Sequence, residues 1–211
     1  MLPALNSLSE KQTEPTPTTM RNIKQFLDYA YTNPNAAIKY IASNMNLWID
    51  SDAAYLVAPK SRSRVAGYYY LSDQPRQPIQ AQPQFNAPVL VECKLLQFVQ
   101  SSSTEAEIGG LFHNMKTAIP IRTTLKELGH PQQMTPVKTD NATAHKFAHD
   151  DIKHSMIKHM DMRYYWIQDK EIQRRFKVYW RSGEDNNADY YSKHHYGIVH
   201  RMVRPKYLHL P

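Results

Sequence analysis

Four acidic side chains stand where the pattern of their neighbours changes: Asp50 in NLWIDSD, Glu107 in SSSTEAEIGGL, Asp140 in TPVKTDN and Asp189 in EDNNADYY. Carboxylate oxygens suit a hard cation such as Mg²⁺, which keeps several waters and leaves positions open for a phosphate. Packed together without metal, four acids would repel one another and raise at least one pKa. Each residue also has a plain structural reading. Asp50 follows Leu47, Trp48 and Ile49, so it needs a buried partner, unless Asp50-Ser51-Asp52 is a polar turn that closes the strand. Glu107 in a first helical turn offsets the helix dipole, Asp140 suits an N-cap, and Asp189 suits a solvated helix start.

The elements that must position these acids follow from the periodicities. Residues 1 to 17 end in TEPTPT, whose prolines predict a linker. Thr18 or Thr19 then caps a helix whose Ile23, Phe26, Leu27 and Tyr31 share one face, stopped by Asn33-Pro34-Asn35. Alternation of period two predicts strands over AIKYIAS, NLWIDSD, VAGYYYL and VLVECKLLQFV, with SDQPRQPIQAQPQFNAP as a long exposed hairpin loop. A helix starts at Ser101 to Thr104 and reaches Gly129, with a break expected at Pro120. TPVKT predicts a short strand, Asp140-Asn141 a helix start, MDMRYYWIQDK a helix, RRFKVYW a last strand and NNADYYSKHH a last helix. This order builds an α/β domain with a mixed five-stranded sheet, three antiparallel strands followed by parallel ones, flanked by helices.

The 211 residues allow one such domain with a short appendage. The formal net charge of +7 suits a polyanionic partner such as nucleic acid. Cys93 is the only cysteine, which excludes an internal disulfide and fits a reducing, intracellular setting. No stretch approaches the length of a membrane-spanning apolar helix, so the expectation is a soluble protein with no membrane partner. His145 and His149 are spaced for one helix face, but no His-Glu-x-x-His arrangement and no thiolates accompany them, which argues against zinc. A Ser/His/Asp hydrolase is disfavoured by the lack of a Gly-x-Ser-x-Gly elbow.

Five ordered segments make the chain similar to the ribonuclease H domain of copia-type retrotransposon polyproteins, from about Tyr40 to His195. IDSDAAYL, followed by SRSRVAGYYYL, resembles the family's Ser-Asp-Ala-Asp strand and its basic continuation. SSSTEAEIGGL resembles its Ser-Ser-Thr-Glu-Ala-Glu motif, VKTDNATA its Cys-Asp-Asn-x-x-Ala, KHMDMRYYWIQDK its Lys-His-Ile-Asp-Ile-Arg-Tyr segment, and EDNNADYYSK its Glu-Asp-x-x-Ala-Asp ending. The resemblance implies a ribonuclease H-like fold over residues 38–196, a leader over 1–37 that joins a reverse transcriptase to it, and a basic tail over 197–211. No Tyr-x-Asp-Asp polymerase motif occurs.

The same resemblance implies hydrolysis of the RNA strand of RNA–DNA hybrids with two Mg²⁺ ions, for which Mn²⁺ can substitute, during reverse transcription in the cytoplasm (virus-like particle) or the nucleus. Its metal ligands would be Asp50, Glu107, Asp140 and Asp189: Asp50 bridging both ions, Glu107 and Asp140 on the leaving-group side, and Asp189 on the side of the attacking water. Lys60, Arg62, Arg64, Lys94 and Asn141 are candidate nucleic-acid contacts, and the reverse transcriptase of the parent polyprotein is a candidate partner. The competing expectation is an inert or co-opted remnant that binds nucleic acid or a protein. One departure from the family pattern is Gly109-Gly110 inside a helix, expected to cost roughly 1 kcal/mol each relative to Ala.

Overall fold

The computed structural model describes residues 2–73, 84–149 and 161–209. Helices α1 (Leu2–Ser9) and α2 (Pro17–Tyr31) lead into the antiparallel strands β1 (Asn46–Ala58), β2 (Arg62–Ser72) and β3 (Pro88–Leu95). Then come α3 (Ser103–Glu127), β4 (Thr135–Thr139), α4 (Ala142–Ala148), α5 (Asp161–Ile172), β5 (Phe176–Trp180), the short α6 (Asp189–Ser192) and α7 (Gly197–Tyr207). The five strands form one sheet in the order β3-β2-β1-β4-β5, with β4 parallel to β1 and β5 parallel to β4.

Alternation along β1 and β2 builds two cores. Leu47, Ile49 and Tyr69 point to one face and pack with Ile108, Leu111 and Met115 of α3 and Ile167 of α5. Trp48, Tyr68 and Tyr70 point to the other face, where Tyr179, Ala188, Tyr191 and Tyr207 cover them. Asp50 and Asp52 therefore lie on the aromatic face, opposite the body of α3.

Several elements differ from the pattern-based expectation. AIKYIAS forms no strand; among the described residues, an isolated bridge between Ala37 and His209 is its one ladder contact. The stretch before the prolines is helical in α1, and the cap of α2 is Thr16, whose hydroxyl accepts from the Thr19 N–H. Helix α3 runs through Pro120 without a break. The C-terminal stretch forms α7, anchored by Arg204, which donates to the Tyr29 hydroxyl and to Asn33. Most of the proline-rich insert, and part of the KHMDMRYYWIQDK segment, lies outside the described residues.

Gly109 and Gly110 have a packing reason. A Cβ on Gly110 would stand 3.3 Å from both the Ala53 Cβ and the Val65 Cγ2, so the bare backbone lets α3 lie close on β1 and β2.

Candidate metal centre

The first acid is brought to the site by strand register. Asp50 pairs with Lys138 across the parallel β1 and β4, and β4 ends at Thr139 while β1 continues. Two residues further along each chain, Asp52 on β1 and Asp140 just past β4 come side by side. This is the carboxyl end of a parallel strand pair, where open α/β sheets place their ligands. Glu107, near the start of α3, reaches over the same end, and its Oε1 accepts from the Ala53 N–H at 3.2 Å. The helix start that aims it is capped by Ser102, whose hydroxyl accepts from the Glu105 N–H.

Ligand oxygens of Asp52, Glu107 and Asp140 all lie within 4.8 Å of one another. Glu107 Oε2 is buried and has no hydrogen-bond partner. A buried carboxylate oxygen without a donor is costly, and a cation satisfies it directly. Burial pushes the Glu107 carboxyl well above its usual range, and Asp52 and Asp140 push it further. Asp52 is raised to about 6 by burial, with Asp189 and Asp140 adding to the rise and Ser192 and Lys193 opposing it. Asp140 is raised by burial and by Asp189. Asp189 opens α6 at the rim, half-buried and ion-paired with Lys193. These donors and their mutual repulsion fit a divalent cation.

Asp50 lies elsewhere. It is fully buried beneath the cluster, 3.1 Å from Lys138 Nζ, and its Oδ2 accepts from the Asn187 backbone N–H at 3.0 Å and from Asn187 Nδ2 at 2.7 Å. Burial pushes its carboxyl upward, and Lys138 and Asn187 pull it back. The structure thus brings together Glu107, Asp140 and the rim residue Asp189 from the expected set, with Asp52 beside them and Asp50 in an ion pair below. The period-two rule puts Asp50 and Asp52 on one face, so it does not choose between them. The signal that does is Lys138: a lysine inside the short strand TPVKT demands a buried counter-charge, and Asp50 supplies it.

The expected nucleic-acid contacts are scattered. Lys60 is exposed on the β1–β2 turn. Arg62 donates to the Leu96 carbonyl, and Lys94 is ion-paired with Glu92. Arg64 is 2% exposed, which takes it out of reach of a docking duplex. Asn141 caps α4 by accepting from the Ala144 N–H at 2.9 Å, so Asp140 is left free of the capping role and available to the cluster. His149 Nε2 lies 2.6 Å from Lys177 Nζ and 3.4 Å from Glu171 Oε2, and its Nδ1 faces the His145 carbonyl at 2.9 Å.

Three antiparallel strands, two parallel ones in the order β3-β2-β1-β4-β5, and acids on the central strand, the first crossover helix and the end of β4 decide the architecture. It is the ribonuclease H fold. No family model matches the sequence. Over 102 residues, 48% of its length, the chain is 32% identical to the retrovirus-related Pol polyprotein of transposon TNT 1-94 from Nicotiana tabacum, in keeping with the resemblance carried by its motifs. The chain spans 8% of that polyprotein. Among solved structures it is similar to the N-terminal RNase H domain of a Mycobacterium tuberculosis protein, with a TM-score of 0.46 and 16% identity over 70% of this chain and 91% of that one. It is also similar to LC11-RNase H1, solved in complex with an RNA/DNA hybrid, with a TM-score of 0.48 and 10% identity over 69% of this chain and 93% of that one. The foamy virus protease-reverse transcriptase gives a TM-score of 0.44 at 13% identity, over 74% of this chain and 21% of that one. The fold follows from the strand order β3-β2-β1-β4-β5 with its antiparallel and parallel pairs. Among the described residues, no helix is long and apolar enough to cross a membrane.

Proposed function

We propose that this ribonuclease H-fold chain hydrolyses the RNA strand of RNA–DNA hybrids, within a retrotransposon polyprotein, using two Mg²⁺ ions held by Asp52, Glu107, Asp140 and Asp189. The observation that carries the proposal is the convergence of Asp52, Glu107 and Asp140 at the carboxyl end of the parallel strand pair, with Glu107 Oε2 buried and unpartnered. Bound there, the ions supply an activated water at neutral pH and stabilise charge on the entering and leaving oxygens.

The chain's own residues do the rest. Asp52 and Glu107 are equally buried, so both would hold a cation from the inner side of the site. Glu107 is fixed through Oε1 by the Ala53 N–H and offers Oε2. Asp140 stands at the end of β4, and Asp189 is the rim acid. Lys193, paired with Asp189, compensates that charge before a cation arrives. Lys60, exposed on the β1–β2 turn, is placed for a phosphate contact. Strand choice would rest on shape, since a hybrid presents 2′-hydroxyls from one strand only across a wide minor groove.

The test is incubation of the purified chain with labelled hybrid, duplex DNA and duplex RNA, with Mg²⁺ or EDTA, beside Asp52→Asn and Asp140→Asn. Mg²⁺-dependent cutting of the hybrid's RNA alone, lost in both variants, is the expected result. A folded wild-type chain that cuts nothing under these conditions overturns the proposal and leaves a binding remnant.

A further inference from the structure

Three buried residues below the metal centre each lie two positions before one of its acids: Asp50 before Asp52, Lys138 before Asp140, and Asn187 before Asp189. Asp50 is bonded to both of the others. Asp50 Oδ2 receives Lys138 Nζ at 3.1 Å, the Asn187 N–H at 3.0 Å and Asn187 Nδ2 at 2.7 Å. Lys138 Nζ also donates to the Asp185 carbonyl, and Asn186 Nδ2 to the Ser51 carbonyl at 2.9 Å. Strands β1 and β4 pair at Ile49–Val137 and Asp50–Lys138 and no further towards the acids, and the loop before α6 belongs to no strand of the sheet. One carboxylate oxygen therefore joins the three segments that carry three of the four acids.

We propose that Asp50, Lys138 and Asn187 form a positioning clamp that sets the spacing of Asp52, Asp140 and Asp189 without touching the metal. The inference rests on the metal reading above and deepens it. Acids that repel one another must be held together by something else until cations arrive. A buried ion pair with two added hydrogen bonds does so, because its energy depends on geometry more than that of a surface pair. Residues that orient metal ligands in this way typically change metal affinity or activity by about tenfold to a hundredfold when removed.

The test uses two variants, since removing one charge alone strands its partner in the interior. Asp50→Asn/Lys138→Met removes both charges, and Asn187→Ala frees the loop while leaving the ion pair. Each is compared with wild type and with Asp52→Asn by circular dichroism, by Mn²⁺ binding in the absence of substrate, by kcat and KM on a hybrid, and by amide hydrogen exchange. Both variants are expected to fold, to bind Mn²⁺ about tenfold to a hundredfold more weakly, to lower kcat with KM little changed, and to exchange faster at residues 183–189. Wild-type Mn²⁺ affinity and exchange in both variants would overturn the clamp. So would loss of Mn²⁺ binding in the Asp50 variant as complete as in Asp52→Asn with exchange unchanged, which would make Asp50 a ligand. If wild type itself neither binds Mn²⁺ nor cuts hybrid, the metal reading fails separately. The exchange arm then decides the clamp alone: faster exchange at 183–189 supports it and unchanged exchange overturns it.

Discussion

Asn114 of α3 donates through Nδ2 to the Ser51 hydroxyl at 2.8 Å and to the Ala66 carbonyl at 2.9 Å, so the helix that carries Glu107 is bolted to the strand that carries Asp52. Its Oδ1 accepts from the Tyr69 hydroxyl at 2.9 Å, and the side chain is fully buried. Asn114→Ala takes a donor from the Ala66 carbonyl and the Ser51 hydroxyl, while the Tyr69 hydroxyl keeps Glu92 Oε2 as an acceptor, and should destabilise the fold by about 3 kcal/mol. The same bolt explains Gly67, where a Cβ would stand 2.5 Å from Asn114 Oδ1 and 2.7 Å from the Tyr69 ring. Gly67→Ala should therefore lower the urea midpoint by a comparable amount. A midpoint unchanged in both variants would show that α3 keeps its place without the bolt.

The raised carboxyl of Asp52 makes a prediction with a definite sign. Burial, helped by Asp189 and Asp140, lifts it from its ordinary 3.8 to about 6. The folded state then holds that proton more tightly than the unfolded chain, so its stabilising contribution is complete below about pH 4 and is lost as pH rises through 6. The rise corresponds to at most about 3 kcal/mol. Asp52→Asn never ionises. It should match wild type in thermal stability near pH 4 and exceed it at pH 8 without divalent cations, and Mg²⁺ should narrow the gap by stabilising wild type alone. A gap that does not change with pH would place Asp52 in solvent-like surroundings.

Glu92 has the opposite sign. Burial works against its ionisation, but hydrogen bonds from His113, Lys94 and Thr117 hold its carboxyl down to about 2. The stability it contributes is present above about pH 4.5 and lost as pH falls toward 2. His113 Nε2 and Thr117 Oγ1, at 2.9 and 3.0 Å, tie α3 to β3 through it, while the exposed Lys94 adds little. Glu92→Gln should cost roughly 2 kcal/mol at pH 7 and little near pH 2, read as the difference in denaturant midpoint. An equal cost at both pH values would mean that the carboxylate charge is not what holds the two elements together.

Much of this architecture was legible in local pattern, and the failures have physical causes. The alternation in NLWIDSD and VAGYYYL, the serine cap before Glu105 and the motif around Asp140 all act over a few residues, and the corresponding β1, β2, α3 and β4 formed as expected. AIKYIAS alternates equally well but, among the described residues, has no neighbouring strand beyond the Ala37–His209 bridge, and a strand without a ladder does not form. The choice between Asp50 and Asp52 depends on how far β4 runs beside β1, a register set by residues some 90 positions apart in the pairing of Asp50 with Lys138. Helix α7 is held to the body by Arg204 and by Tyr207, whose hydroxyl donates to the Asn187 carbonyl at 3.0 Å, contacts that no property of a basic tail announces.

Gly183 offers the sharpest separation of site from scaffold. It lies in the exposed turn before Asn186 and Asn187, and a Cβ there would stand 2.9 Å from Asp140 Oδ2. The atom in the way is the far end of a rotatable side chain, so the fold can yield at little cost by turning the Asp140 carboxylate aside. Gly183→Ala should therefore melt within about 0.5 kcal/mol of wild type, the range of ordinary surface changes. A carboxylate turned away from Asp52 and Glu107 no longer completes the cluster, so Mn²⁺ binding should weaken by about tenfold or more, with hybrid cleavage falling in step. Asp140→Asn in the same background should then add little further loss, because the group it removes is already displaced. Full additivity of the two substitutions would show that Asp140 keeps its place and that the turn acts on the site by another route.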